Sequence, residues 1–134
     1  MKHLIATLAL SAIALSSAQA ATYQAIVPEK SSITFAYKQM GVAMDGKFKK
    51  FNAQLSLDTA KADKAKGSID IDLASIDTGS SEADQEVVSK SWFNVAAHPK
   101  ASFVLKSLKP AGANAYEALG QLTIKGQTRD LVAP

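Results

Sequence analysis

Groups able to do covalent or acid–base chemistry are few in this sequence and poorly spaced for it. The chain has 134 residues, no cysteine and two histidines, which excludes a thiol nucleophile, an iron–sulfur cluster and any zinc site built on thiolate. His3 falls in the first twenty residues, and His98 has no carboxylate at a fixed spacing, so a structural imidazole is favoured over a base or metal ligand. Asp70, Asp72, Asp77, Glu82, Asp84 and Glu86 are close in sequence. Paired acids perform acid–base work only in a desolvated cleft that splits their pKa values, whereas Asp70 and Asp72 occupy the polar side of an alternating stretch, where charge keeps a sheet soluble. Ser75, Ser80 and Ser81 offer hydroxyls with no histidine in a credible relation to them, and no glycine-rich loop follows a strand and opens a helix. The expectation is a protein without catalysis, cofactor or metal.

What remains is binding chemistry. An apolar ligand needs a concave hydrophobic lining and a few polar groups at its mouth, and the sequence supplies long apolar faces. Ile33, Phe35 and Tyr37 alternate with Ser32, Thr34 and Lys38. Ile69, Ile71 and Leu73 alternate with Ser68, Asp70 and Asp72. Tyr116, Ala118, Gly120, Leu122 and Ile124 form a third such face, and Ala101, Phe103 and Leu105 a fourth. Phe51, Ala53, Leu55 and Leu57 share a phase that Phe48 does not, so an inserted residue, a β-bulge, is expected near Lys49–Lys50. Small members of these faces (Ala53, Ala101, Ala118, Gly120) would leave room inside. Lys125 and Arg129, the sole arginine, flank a turn at Gly126; a solvated hairpin charge is the favoured reading, and the alternative is an anionic head group met by both, Arg129 in bidentate fashion. Taken singly, each apolar residue is better explained by ordinary packing, because alternation arises in every half-buried sheet. Trp92 and Phe93 are adjacent and expected to diverge, one to the core and one toward the rim.

Several elements must position these faces. Residues 1–20 read as a signal peptide, with Lys2–His3 before an apolar stretch from Leu4 to Leu15 and Ala18-Gln19-Ala20 at its end. That stretch is shorter than the roughly 20 residues of a spanning helix. Export and a domain over 21–134 are therefore expected. Turns are expected at Val27–Lys30, Asp45–Gly46, Lys61–Lys66, Lys109–Gly112 and Lys125–Gln127. Ser80 reads as the N-cap of a short helix with acidic residues in its first turn, continuing past Val87 and Val88 to Ser91–Trp92. A helix inserted among strands would cover a barrel end. The formal charge of +3, without a basic block interleaved with aromatics, does not argue for nucleic acid. Lys47, Lys49 and Lys50 are the densest local charge and read as a solvated strand edge. Antiparallel strands of this number suit a sandwich or a barrel equally.

Taken in succession, these stretches resemble the YceI-like family of periplasmic polyisoprenoid-binding proteins. The residues that carry the resemblance are Tyr23 through Phe35, Gly41, Asp45-Gly46-Lys47-Phe48 with Phe51, Ile69-Asp70-Ile71, Ala74-Ser75-Ile76-Asp77-Thr78-Gly79, Asp84, Trp92-Phe93-Asn94, His98 through Phe103, and Gly120 through Arg129. Ala83 stands where the family often has a basic residue. The resemblance implies an all-β fold, an antiparallel lipocalin-like β-barrel with one short helix, around a long isoprenoid or similar lipid. It implies a lining of Ile33, Phe35, Tyr37, Phe51, Leu55, Ile69, Ile71, Leu73, Trp92, Phe103, Leu105, Leu122 and Ile124. As an alternative it implies an accessory protein of a membrane cytochrome or quinone system. The chain holds fewer strands than a small barrel of about eight requires. The barrel is therefore expected to be incomplete and the sequence a fragment, with open edges that invite a homodimer. Burial is worth about 0.8 kcal/mol per methylene, hence about 4 kcal/mol per five-carbon unit. A bilayer offers the same chain a similar gain, so exchange between the two is near balance, which suits carriage or storage.

Overall fold

The alternating stretches form strands, arranged in two antiparallel sheets. A computed structural model describes residues 22–134; the expected signal peptide at 1–20 lies outside the described residues. In the smaller sheet β2 (Ile33–Gln39) pairs with β3 (Val42–Phe48), and β3 pairs with the short β6 (Ile76–Asp77). In the larger sheet the order is β1 (Thr22–Tyr23), β4 (Phe51–Asp58), β5 (Lys66–Asp72), β7 (Lys100–Gly112), β8 (Ala115–Ile124) and β9 (Gln127–Ala133). Hairpin neighbours β4/β5, β7/β8 and β8/β9 follow the chain. The path from β5 to β7 instead detours through β6 and the helix α1 (Ser81–Val88), and β1 sits against β4 rather than β2. Among the described residues the two sheets share no strand pairing, so the barrel is unclosed.

Two of the expected turns are not turns. The β2–β3 reversal is made by Met40 and Gly41, both at positive φ (51° and 81°), as a two-residue hairpin turn with matching twist requires. Asp45–Gly46 lies within β3 instead, where Gly46 stands opposite Phe35. A Cβ there would come within 2.6 Å of Phe35 Cε2; the glycine is a seat for the ring. Likewise Lys109–Gly112 is the end of β7, with Pro110 opposite Tyr116, and the reversal falls at Ala113–Asn114.

The phase slip at Lys49–Lys50 is a corner and not a bulge. These two residues join β3 of one sheet to β4 of the other, and the slip keeps the apolar side continuous through the change of sheet. Ser75 clasps the corner. Its carbonyl accepts the Lys49 N–H (3.0 Å), its hydroxyl oxygen accepts the Lys50 N–H (2.9 Å), and the hydroxyl donates to the Asp72 carbonyl (2.6 Å). Lys47, between Thr34 of β2 and Asp77 of β6 in register, is not on a strand edge. Genuine irregularities occur in β7, between Leu105 and Ser107 and between Pro110 and Gly112. The first moves the apolar phase from Ala101, Phe103 and Leu105 to Leu108 without turning the strand over.

Helix α1 begins at the Ser80 cap, whose hydroxyl accepts the Ala83 N–H (3.4 Å), and ends at Val88. It is shorter than expected because Ser89 takes an extended conformation and caps it, and Trp92 lies in the turns that follow. The helix packs beside β6. The end of the larger sheet is plugged by a different piece, the single turn Ala62–Lys64. Ala62 and Ala65 are buried there against Leu57 and Leu105, with Leu108, Tyr116 and Ala118 around them.

Candidate functional site

Directly opposed residues of an antiparallel sheet share a face, so the register of the larger sheet can be read as rungs. One rung is Phe51–Ile71–Ala101. The next is Ala53–Ile69–Phe103–Leu122–Arg129, and the third is Leu55–Gly67–Leu105–Gly120–Leu131. The opposite face carries Asn52–Asp70–Ser102–Thr123–Thr128 and Gln54–Ser68–Val104–Gln121–Asp130. One side of the sheet is therefore an apolar wall and the other mostly polar. In the smaller sheet Ile33, Phe35 and Tyr37 oppose Phe48, Gly46 and Met44. Phe35 is 5.9 Å from Tyr37 and 5.3 Å from Phe48 between ring centroids, an aromatic row along that face.

The wall is only partly covered. Ile33, Phe35, Tyr37, Phe51, Leu55, Ile69, Ile71, Phe103, Leu122 and Ile124 are all half-buried, whereas Leu105 and Ala101 are buried. Two expected lining residues are placed elsewhere. Leu73, 1% exposed, is not on the strand at all: β5 stops at Asp72 and Leu73 opens a single turn packed as solid core. Trp92 is 56% exposed and donates its indole N–H to Glu86 (3.1 Å), on the outside of the helix segment. Room was expected at Gly120, but the ring of Phe103 occupies that space. A glycine inside an alternating strand was the available signal for such close approach.

The open space lies along one seam. The segment from Gln24 to Ser32 runs beside β4 without pairing to it beyond Tyr23. A cleft of about 630 Å³ separates Gln24, Ala25 and Ile26 from Ala53–Ser56 and Lys66–Ser68. A second cleft, of about 480 Å³, lies between Pro28, Ser31 and Ser32 and the corner residues Lys47–Phe51. The expected head-group residues line neither cleft. Lys125 stands in the β8–β9 turn at φ 50°, Arg129 ends an apolar rung opposite Leu122, and both are exposed.

Asp72, Asp77 and Asp84 serve the fold. Asp77 Oδ1 accepts the Gly79 N–H (3.0 Å) and Asp72 Oδ1 the Ala74 N–H (3.1 Å). Asp84 Oδ1 accepts both the hydroxyl (2.6 Å) and the N–H (2.7 Å) of Thr78, whose carbonyl accepts the Tyr37 hydroxyl (2.8 Å). Strand β2 is thereby tied through Thr78 to α1. The two Thr78 donors, hydroxyl first, hold the Asp84 carboxyl below the ordinary aspartate value, and Lys49 adds to this. A carboxylate with a depressed pKa stabilises the fold above its unfolded pKa, and that contribution is lost as pH falls through the folded value. Asp84→Asn is expected to lower the melting temperature at pH 7, with the deficit shrinking once the pH drops below the ordinary aspartate range. Parallel thermal melts across that range test this, and a deficit independent of pH contradicts it. Ser75, a sequence candidate for a nucleophile, is buried with its hydroxyl engaged in the corner. His98 packs on Gly126, where a Cβ would lie 3.1 Å from its Cε1. Among the described residues no group of three or more His, Cys, Asp or Glu side chains is placed to hold a metal.

Known proteins share this arrangement. BcnA of Burkholderia cenocepacia superposes with a TM-score of 0.77 at 39% identity, over 81% of this chain and 68% of that one. The Campylobacter jejuni YCEI protein gives 0.64 over 81% of this chain and 64% of its own, and at 24% identity it shows the fold alone. A UPF0312 protein of Ectopseudomonas mendocina is 31% identical over 98% of this chain and 71% of its own length. One from Azotobacter vinelandii is 28% identical with the same coverage. The YceI-like domain matches residues 24–134, and with the lipocalin-like antiparallel architecture it establishes that this chain belongs to the YceI-like family of binding proteins.

Proposed function

We propose that the protein is an exported, periplasmic carrier that holds a long apolar molecule of the isoprenoid class against the rungs of its larger sheet. The supporting observation is the unfinished burial of that wall. Ile69, Phe103 and Leu122 sit in one rung across three neighbouring strands, yet each remains half-exposed. Covering such surface is worth roughly 25 cal/mol per Å². The Phe103–Gly120 contact smooths the wall, and the seam beside β4 gives a lateral way in. Storage or transfer, not turnover, fits a wall lined by Ile69, Phe103 and Leu122, with Asp70 and Ser102 on the opposite face of the sheet. The polar end of the ligand would meet one of two cationic rims, Lys125 with Arg129 or the lysines of the corner.

Native mass spectrometry of protein taken from its own cell envelope tests the reading. The expected spectrum shows a bound apolar mass that solvent extraction removes and a polyprenol restores. A bare chain that neither carries nor regains such a mass, and that co-purifies with a membrane redox complex, overturns it in favour of the accessory role.

A further inference from the structure

We infer that the cleft at the corner between the two sheets is an anion site, and that it, rather than the β8–β9 turn, receives the phosphate-type head of the ligand. This rests on the carrier reading and adds the chemical class of the polar end. Lys47, Lys49 and Lys50 all line this cleft, with Ser31 and Ser32 across from them. Phe48 and Phe51 line it too, and these are members of the apolar faces of the two sheets. The cleft thus brings three lysines and a member of each apolar face into one lining. That is the arrangement an amphiphile with an anionic head and a long apolar tail requires.

The neighbouring acids offset part of the rim's charge. Asp84, kept anionic by the two donors of Thr78, lies near enough to Lys49 to feel it, and Asp77 stands beside Lys47 in register. Three lysines against two carboxylates leave the corner with a net positive charge. Ser75 fixes the backbone from which Lys49 and Lys50 project, through their N–H groups. The stems of these lysines therefore start from an ordered corner, which reduces the entropy lost when an anion gathers them. At the other rim, Lys125 occupies the turn and Arg129 is two register steps up the strand, opposite Leu122. All five cations are exposed; what separates the two rims is that Lys47, Lys49 and Lys50 share the lining of one cleft, whereas Lys125 and Arg129 border neither cleft described above.

The test uses farnesyl phosphate and farnesol, which share a tail and differ in the head, measured by calorimetric titration against the full chain. Farnesyl phosphate is expected to bind about tenfold more tightly, the low end for a charge-assisted hydrogen bond, and inorganic pyrophosphate should compete with it but not with farnesol. Lys47→Gln combined with Lys50→Gln should remove the preference while leaving farnesol affinity within about twofold. Lys49 is kept in that variant so that Asp84 is undisturbed, and a thermal melt confirms the fold. Lys125→Gln with Arg129→Gln should leave the preference intact. Equal binding of the two probes by the unaltered protein overturns the anion site and leaves the carrier reading standing. Loss of the preference only in the Lys125/Arg129 variant assigns the head to the other rim and also overturns it. Binding of neither probe overturns both readings together.

Discussion

Gly120→Val is expected to destabilise the protein by about 3 kcal/mol, the upper part of the range for overpacking. A Cβ at Gly120 would collide with the carbonyl oxygen of Val104 on the adjacent strand and come within 2.6 Å of Phe103 Cζ. The ring can swing; the backbone oxygen of a paired strand in mid-sheet cannot. Gly46 provides the contrast, because the nearest atoms there all belong to the far end of the Phe35 ring. Gly46→Ala is therefore expected to cost less than half as much, and to recover when combined with Phe35→Leu, which vacates the seat. Urea denaturation of the four proteins decides the matter. Equal losses at the two glycines would show that ring displacement, and not the rigid strand, dominates.

Leu73→Ala carries the second large effect, about 3 kcal/mol from lost burial and the cavity left behind. Leu73 is 1% exposed, its N–H donates to the Pro99 carbonyl (3.1 Å), and it opens the turn that delivers Ser75 to the corner. Ile69→Ala removes a side chain of the same size from the apolar wall, but a half-exposed one. Its cost in the ligand-free protein should be near half that of Leu73→Ala, growing when a polyprenol is bound. The comparison separates core from lining by chemical denaturation with and without ligand. An Ile69→Ala loss as large as that at Leu73, and unchanged by the polyprenol, would mean that the wall is solid packing.

Strands were legible because their apolar residues keep strict alternation, as in Ile33–Phe35–Tyr37 and Ile69–Ile71. The architecture was less so, for a physical reason. A phase slip such as Phe48 to Phe51 looks the same whether the chain bulges within one sheet or leaves for another, and only partners distant in sequence, here Ser75, decide which. Asp45–Gly46 carries a turn's chemistry, yet the aromatic ring opposite it sets the glycine's use. Pro110 sits in a strand because it lies near the strand's end, beside an irregularity where a missing N–H is tolerated. Which residues share an apolar face was readable within each strand, but not that Ile33, Phe35 and Tyr37 belong to a different sheet from Ile69 and Phe103, nor that Leu73 and Trp92 leave these faces. The Tyr37–Thr78–Asp84 chain was not, since a contact between positions 41 residues apart leaves no periodic trace.

At the corner Lys49–Lys50 the chain passes from one sheet to the other, and both of these residues' N–H groups are held by Ser75, which belongs to neither sheet. One residue thereby sets the angle at which the two layers meet, and a change at Ser75 would be felt in both at once.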